Sequence, residues 1–351
     1  MNKLSDFYHD YPFFFIALAI YIPLTILWIQ SRRRMKVSRE YEPSPDLQPL
    51  PLSFGTVDYL KAFISWLFLF LKIFTVRPGL YYVGERDENA PLLVTCNNFL
   101  TIFLLTRKIA NRNVRLLVID TNGINVWCSA GEGKFSAEEI IDKAGRYGLI
   151  KDGRKTEMIL PKLCLSGVKL SDLQKAGIKP VIGPMYAKDL PRYLDEDRFQ
   201  DRVIDHVTFG LQSRIFTALP TAVQFLYWFA GIYIVTFWML DSAIIGIAAL
   251  MAFSYPILFP FLPGKQFAVK GISLGIIASV FAVAHYLYHG FNLQLTIFWI
   301  LFTFATSIFI GLSFTGNSPL SNYDKVRKET AAFLPVVVIL YLMIIPVILF
   351  L

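Results

Sequence analysis

The segment with the clearest capacity for chemistry runs from Asp120 to Phe135, directly after the apolar stretch 114–119. It carries Cys128, a soft ligand when ionised, and three glycines that permit positive φ or close backbone approach. It is not a Walker loop, because Phe135 stands where GxxxxGK[ST] needs Ser or Thr after Lys134. Ligands bind beyond the carboxyl ends of parallel strands. The pattern therefore indicates a small-ligand loop or, equally, a purely structural turn.

The cysteines Cys96, Cys128 and Cys164 include no CxxC pair. We therefore expect no zinc knuckle and no iron–sulfur cluster held by this chain alone. The odd number and irregular spacing argue against a disulfide framework and favour a reducing cytoplasm for the part that carries them. Buried core thiols are the alternative interpretation, and for Cys96 and Cys164 the favoured one.

Two histidines, His285 and His289, have the i, i+4 spacing of a metal pair. No acidic partner of the HExxH kind accompanies them. Tyr286 and Tyr288 are their neighbours near the end of an apolar run, which favours an interfacial aromatic belt.

The elements that would position Cys128 belong to a polar stretch, 77–212. Apolar runs of strand length occupy 91–95, 114–119, 157–163 and 180–183, with helix-like segments near 98–110, 137–147 and 187–196. This alternation predicts an α/β domain with a mainly parallel sheet. In the second helix, Ser136 and Glu139 form a capping-box pattern and Gly148 ends the helix.

The rest of the chain has the composition of a membrane protein. Hydrophobic residues make up 55% and charged residues 17%, against roughly 45–50% and about 25% in soluble domains. Long apolar runs predict six spans, at 11–29, 222–240, 242–262, 270–288, 294–312 and 332–350.

Basic residues give the expected orientation. They follow the first run at 32–36 and lie in the loops near 265–270 and 325–328. The positive-inside rule then places the α/β domain in the cytoplasm and both termini outside the inner membrane. A signal peptide is the alternative for the first run, but its basic residues follow the run and no small-residue cleavage site comes after it. The net charge of +8 includes no Lys/Arg patch interleaved with aromatics, so we expect no nucleic-acid partner.

We expect four regions along the chain. They are a transmembrane anchor (1–36), a proline-rich linker with an interfacial amphipathic helix (37–76), the α/β domain (77–212) and about five transmembrane helices (213–351). The amphipathic segment, 57–74, carries Lys61 and Lys72, which we expect to reach out of the lipid toward water.

The segment Asn125-Val126-Trp127-Cys128-Ser129-Ala130-Gly131 resembles the cap-helix motif of the mercury-methylating corrinoid protein family, N-[VI]-W-C-A-[AG]-G-K. The resemblance extends over about 57–351. Supporting segments are Thr75-Val76-Arg77-Pro78-Gly79-Leu80-Tyr81, Gly183-Pro184, Asp189-Leu190-Pro191, Leu262-Pro263-Gly264-Lys265 and Phe314-Thr315-Gly316-Asn317-Ser318.

The resemblance implies an α/β corrinoid-binding domain similar to that of the corrinoid iron–sulfur protein of the acetyl-CoA pathway, joined to a helical transmembrane domain. It implies that Cys128 is the catalytic residue, as the lower axial cobalt ligand of a base-off, cobalamin-like corrinoid. Backbone N–H groups at the helix start would help to keep this thiolate ionised. The implied cofactor-binding residues are Asp120, Thr121, Gly123, Asn125, Val126, Trp127, Ser129, Ala130, Gly131 and Gly133.

The implied activity is corrinoid-dependent methyl transfer to Hg(II), giving methylmercury. The implied partners are membrane lipid, a ferredoxin-like iron–sulfur reductase, and a methyl donor protein or methyl-tetrahydrofolate system.

Two departures from the family pattern keep alternatives open. Glu132 replaces the lysine that follows the motif, with Lys134 two places later, and Cys96-Asn97-Asn98-Phe99-Leu100 replaces a segment rich in Tyr, Lys and Ser. A corrinoid methyl carrier with a non-mercury acceptor is therefore the second hypothesis. A transporter with a regulatory cytoplasmic domain is the third, disfavoured because the spans carry no charged residue at mid-depth.

Overall fold

A computed structural model describes residues 3–40, 50–151, 153–196, 208–236, 239–318, 320–321 and 323–349. The chain divides into two compact units, residues 27–208 and residues 1–26 with 209–351. Most of the expected proline-rich linker, 41–49, lies outside the described residues.

The first unit is built on one six-stranded sheet. Its strands are β1 (Leu50–Pro51), β2 (Gly79–Val83), β3 (Leu92–Cys96), β4 (Val114–Ile119), β5 (Thr156–Leu160) and β6 (Ile178–Ile182), in the order β1-β2-β4-β3-β5-β6. Every neighbouring pair is parallel except β2 with β4. The sheet is thus mainly parallel, as expected, with one antiparallel pairing.

Helices cover both faces of this sheet. They are α2 (Thr56–Leu67), α3 (Phe99–Ile109), α4 (Val126–Gly131), α5 (Ala137–Arg146), α6 (Leu170–Lys175) and α7 (Leu190–Asp195). Side chains alternate along each strand, so Leu80 and Leu117 face the layer of α4, α5 and α6. Their neighbours Tyr81 and Val118 face the layer of α3 and α7. The result is a three-layer α/β/α unit.

The expected elements are largely confirmed, with four differences. The strand expected at 157–163 ends at Leu160, because Pro161 and a 3₁₀ turn over Lys162–Ser166 follow it. The helix expected at 187–196 starts with a separate 3₁₀ turn, Ala187–Asp189. Strands β1 and β2 and helix α6 were not predicted. The first helix, α1 (Lys3–Glu40), continues past the expected start of the linker at residue 37.

The segment expected to be an interfacial helix at 57–74 forms the 12-residue α2, followed by a 3₁₀ turn over Leu69–Leu71. At 1.5 Å per residue such a helix is about 18 Å long, too short for a hydrocarbon core of about 30 Å. One of its faces carries exposed apolar side chains, among them Val57, Leu60 and Phe63.

The second unit is helical. It contains the start of α1 with α8 (Leu211–Thr236), α9 (Ala243–Leu258), α10 (Phe267–His289), α11 (Leu293–Asn317) and α12 (Tyr323–Leu349). Glycines allow α10 and α11 to pack closely, since a Cβ at Gly271 would lie 2.4 Å from the carbonyl oxygen of Ser307.

Among the described residues, five helices are long and apolar enough to cross a membrane, judged by length and composition. They are Pro12–Arg33, Leu211–Thr236, Phe267–His289, Leu293–Gly316 and Asp324–Leu349. The sixth expected span, 242–262, contains a shorter apolar helix, Ala243–Leu258.

Candidate functional site

Asn97 organises the loop that leads to the cysteine segment. It directly follows β3, and the loop Asp120–Ile124 follows the neighbouring parallel strand β4. Its side-chain oxygen accepts hydrogen bonds from the backbone N–H of Thr121 (3.1 Å), the Thr121 hydroxyl (2.9 Å) and the N–H of Gly123 (2.8 Å). Its amide nitrogen donates to Asp120 (3.0 Å). In the sequence, Asn97 stands out only as part of a departure from the family pattern. Its one signal as a site residue is that its amide directly follows a buried strand.

The loop itself has an unusual backbone. Asn122 and Gly123 both have positive φ, 62° and 69°, a region that glycine and asparagine enter most readily. The Asp120 carboxylate accepts from the N–H of Asn122 (2.9 Å), and the Asn98 amide donates to the carbonyl of Gly123 (2.9 Å). Two side chains from the end of β3 therefore define where the next helix begins.

That helix is α4, which carries Cys128 in its first turn. Asn125 caps it, because its side-chain oxygen accepts from the N–H of Cys128 (2.9 Å). Val126, Ser129 and Ala130 are buried and hold α4 against the sheet.

Trp127, Cys128 and Gly131 are half-buried on the outer side of α4, and Gly133 beyond it is exposed. A Cβ at Gly131 or Gly133 would meet nothing within 4 Å, so this side of the helix is open. The structure thus brings the predicted cofactor-binding residues together in α4 and the loops beside it. Some of their side chains face the core, and the others face the open side of the helix.

The electrostatics of Cys128 differ from the sequence-based expectation. Burial raises the pKa of its thiol to about 11, the Asn125 side chain opposes this shift, and the Glu132 carboxylate adds to it. The neutral thiol is therefore favoured near pH 7 when no metal is bound to the sulfur, in contrast to the ionised thiolate expected from the sequence. A metal cation on sulfur would displace the proton, since coordination deprotonates a thiol.

Lys72 lies close to this thiol and was missed as a site residue. It has a left-handed backbone (φ 51°) and its carbonyl accepts from the Ser31 hydroxyl. Burial lowers the pKa of its ammonium, whereas Glu132 and, more weakly, Cys128 raise this pKa. Lys72 therefore lies beside the candidate site, and Glu132, the residue that departs from the family pattern, also pairs with Lys134.

Glu139 connects α5 to the same loop. Only one of the two hydrogen bonds of the expected capping box forms: the Ser136 hydroxyl accepts from the N–H of Glu139 (3.3 Å). The Glu139 carboxylate accepts from the N–H of Asp120 (3.1 Å) instead of from the N–H of Ser136. Burial raises the pKa of Glu139. Glu139, in the first turn of α5, thus also fixes the start of the site loop.

The segment after β5 supports α4 from behind. A Cβ at Gly167 would lie 2.2 Å from the carbonyl oxygen of Ala130, so only glycine allows this approach. Cys164, in the same segment, and Cys96, at the end of β3, are fully buried, and burial raises the pKa of both thiols. Both are core residues, as the sequence indicated.

The α/β unit is similar to subunits of known enzyme complexes. A family model described as CO dehydrogenase/acetyl-CoA synthase delta subunit matches residues 72–194, which include strands β2 to β6 and Cys128. The chain is similar to the gamma 2 subunit of the acetyl-CoA decarbonylase/synthase complex of Methanosarcina thermophila, with 34% identity over 129 residues, 35% of this chain and 27% of the relative.

Two further relatives cover comparable shares. The gamma subunit of the same complex from Methanopyrus kandleri is 32% identical over 124 residues, 35% of this chain and 27% of the relative. The corrinoid/iron-sulfur protein large subunit of Moorella thermoacetica is 30% identical over 118 residues, 33% of this chain and 26% of the relative. The chain thus spans about a quarter of the length of the relatives it matches.

Proposed function

We propose that the chain is a membrane-bound corrinoid methyltransferase whose α/β unit holds a corrinoid, with Cys128 as the lower axial ligand of its cobalt. The observation that carries this proposal is the position of Cys128. It lies on the open side of a short helix beyond the carboxyl end of the sheet, within the range similar to CO dehydrogenase/acetyl-CoA synthase subunits. One of the matched relatives is itself named as a corrinoid protein.

The donor set fits a corrinoid better than a bare metal ion. In the described part of the chain, no three His, Cys, Asp or Glu side chains group together as they would to hold an ion. A corrin ring brings four equatorial nitrogens of its own, so a single protein ligand is enough. Cys128 offers one soft sulfur, and Gly131 and Gly133 leave room beside it.

Three residues of the candidate site then have a role toward the cofactor. When bound, a corrinoid supplies a cobalt centre that can accept and release a methyl group. The Cys128 sulfur would hold the cobalt and would donate charge to it. Asn125 sets the start of α4, and Asn97 holds the preceding loop.

The acceptor that we propose is Hg(II), on the support of the segment Asn125–Gly131, whose likeness to the mercury-methylating motif is the most specific feature of the sequence. A methyl carrier with another acceptor is the second candidate, favoured by Glu132 in place of a lysine. The cations Lys134 and Lys72 near Glu132 offset its charge, so the mercury proposal does not depend on a lysine at position 132.

The proposed surroundings follow from the apolar helices and the chemistry. The chain would sit in the inner membrane with the α/β unit in the cytoplasm. A methyl donor protein or methyl-tetrahydrofolate system would supply the methyl group, and a ferredoxin-like partner would return cobalt to its reduced state.

Purification of the full-length chain with cobalamin tests the cofactor. We expect cobalamin-like visible absorption to co-elute with the protein on gel filtration, and Cys128→Ala to shift those bands. Absence of corrinoid absorption after reconstitution would rule out the corrinoid proposal. Incubation of the methylated, reconstituted protein with Hg(II) then separates the acceptors. Free methylcobalamin methylates Hg(II) unaided, so only the first candidate predicts that the protein forms methylmercury faster than free methylcobalamin does.

A further inference from the structure

A cavity of about 760 Å³ lies in the helical unit, between α9, α10 and α11. Apolar side chains form most of its wall, including Leu250, Ile277, Phe281 and Phe298. Its volume is in the range of small-molecule sites, about 300–1,000 Å³.

Polar side chains line one end of this cavity. Asp241 comes from the connection between α8 and α9, His285 and Tyr286 from the last turns of α10, and Trp299 from the second turn of α11. The indole N–H of Trp299 donates to the hydroxyl oxygen of Tyr286 (2.9 Å). Because that oxygen already accepts a bond, Tyr286 can donate its own proton to an acceptor inside the cavity.

We propose that this cavity binds a prenyl quinone. The apolar wall suits an isoprenoid chain. The flat ring can stack on one of the rings of Trp299 and Phe298 and meet the edge of the other, because these rings lie 5.1 Å apart and nearly perpendicular. A quinone carbonyl is an acceptor without charge, which matches the Tyr286 hydroxyl.

A phospholipid is a poorer match for the same cavity. Its phosphate would lie near the Asp241 carboxylate, and no Lys or Arg is among the described residues that line the cavity. The head of the ligand should therefore be neutral. This inference shares with the proposed function only the membrane location, and it requires neither the corrinoid nor Cys128.

Thermal unfolding of the full-length protein in detergent, with menaquinone-4 as the probe, tests the proposal. A ligand that binds the folded state raises the melting temperature in a concentration-dependent way. Tyr286→Phe removes the donor, and Ala278→Phe fills the cavity that Ala278 lines. Tyr288→Phe is the matched control, because Tyr288 is exposed on the same helix outside the cavity. Geranylgeraniol, an isoprenoid alcohol without the ring, controls for the chain.

We expect menaquinone-4 to stabilise the wild type and Tyr288→Phe equally. Tyr286→Phe should need about three- to tenfold more quinone, the value of one hydrogen bond, and Ala278→Phe should show no shift. If Ala278→Phe fails to fold, the two tyrosine variants decide. No shift in the wild type, equal shifts in all variants, or an equal shift with geranylgeraniol would overturn the proposal. Corrinoid absorption should be unchanged in every variant, which separates this result from a failure of the proposed function.

Discussion

Cys128 differs from the other two cysteines in what surrounds it. Cys96 and Cys164 are enclosed by the core that packs between the sheet and α4 to α6. Cys128 is half-buried, next to the open side of α4 and close to Glu132 and Lys72. A role in metal ligation and a role in packing therefore predict different results for the same substitution at the three positions.

We expect Cys128→Ala to keep the fold and to change the chemistry. Loss of one small, half-buried side chain should lower the free energy of unfolding by at most about 1–2 kcal/mol. Loss of the sulfur should shift the cobalt absorption bands and abolish methyl transfer. Visible spectroscopy and a methyl-transfer assay on the reconstituted protein measure both effects.

Cys96→Ala and Cys164→Ala are the matched controls for this substitution. Each should lower stability by about 1–2 kcal/mol as a core truncation and leave the spectrum and the transfer rate unchanged. If all three variants differ from the wild type only in stability, Cys128 is a packing residue and the ligand assignment is wrong.

Asn97→Ala should loosen the loop that precedes α4. The substitution leaves the N–H groups of Thr121 and Gly123 without their acceptor in a buried place, at a cost of about 1–3 kcal/mol for each buried group left unsatisfied. Hydrogen exchange should become faster in peptides that cover 119–131, and corrinoid affinity should fall.

Asn113→Ala is the control for this loop, because Asn113 accepts from the N–H of Glu85 at the opposite end of β4. Exchange in 119–131 should stay slow in that variant. Equal exchange in both variants would show that Asn97 does not hold the loop.

Cys128 could be proposed as a site residue from the sequence because its motif is contiguous. Asn97 gave only the weak signal of an amide directly after a buried strand. Lys72 and Glu139 gave none as site residues, because their roles depend on contacts between segments far apart in the chain. The charge state of Cys128 was missed for a related reason, since the burial that raises its pKa arises only when the layers pack.

The position of α4 depends on the segment after β5, which packs against it. The backbone at Gly167 approaches the last turn of α4 so closely that any side chain would collide with the Ala130 carbonyl. Because that atom belongs to the backbone, the helix as a whole would have to move. The helix that carries Cys128 is therefore placed from both sides, by the Asn97 loop and by this contact.

Gly167→Ala should displace α4. We expect a loss of roughly 1–3 kcal/mol of stability, as for overpacked sites, and weaker corrinoid binding because the sulfur moves with the helix. Denaturant unfolding and cobalamin titration measure the two effects.

Gly145→Ala is the control for Gly167→Ala, since Gly145 lies inside α5 with nothing within 4 Å of its Cβ position. It should be neutral or stabilise by about 0.5–1 kcal/mol. If the Gly167 variant binds cobalamin as tightly as the Gly145 variant does, the contact between Gly167 and Ala130 does not set the position of α4.

Elements with a strong local pattern were predictable. Strand β4 matches its prediction, 114–119, and α3 and α5 match theirs to within one residue at each end. Strand β1 has only two residues, too few for a periodic pattern, and it exists because it pairs with β2. The antiparallel pairing of β2 with β4 likewise leaves no mark on the alternation of strands and helices.

For the whole molecule, hydropathy predicts where apolar helices lie better than how far each extends. Five of the six expected spans overlap helices of at least 22 residues, whereas the sixth contains the 16-residue α9. Such a helix covers about 24 Å at 1.5 Å per residue, somewhat less than a hydrocarbon core of about 30 Å. Six crossings therefore require the bilayer or the flanking residues to accommodate α9.

Cysteine labelling in intact cells tests this arrangement. The six-span prediction places Lys175, exposed in the α/β unit, inside the cell, and Tyr288, exposed at the end of α10, outside. An impermeant thiol reagent should therefore label Tyr288→Cys above the level of the unmutated chain and should label Lys175→Cys only after the membrane is permeabilised. Labelling of Lys175→Cys in intact cells would place the α/β unit outside, away from a cytoplasmic reductant. Labelling of both only after permeabilisation would instead mean that α9 does not cross, because one crossing fewer brings the α10–α11 connection to the cytoplasmic side.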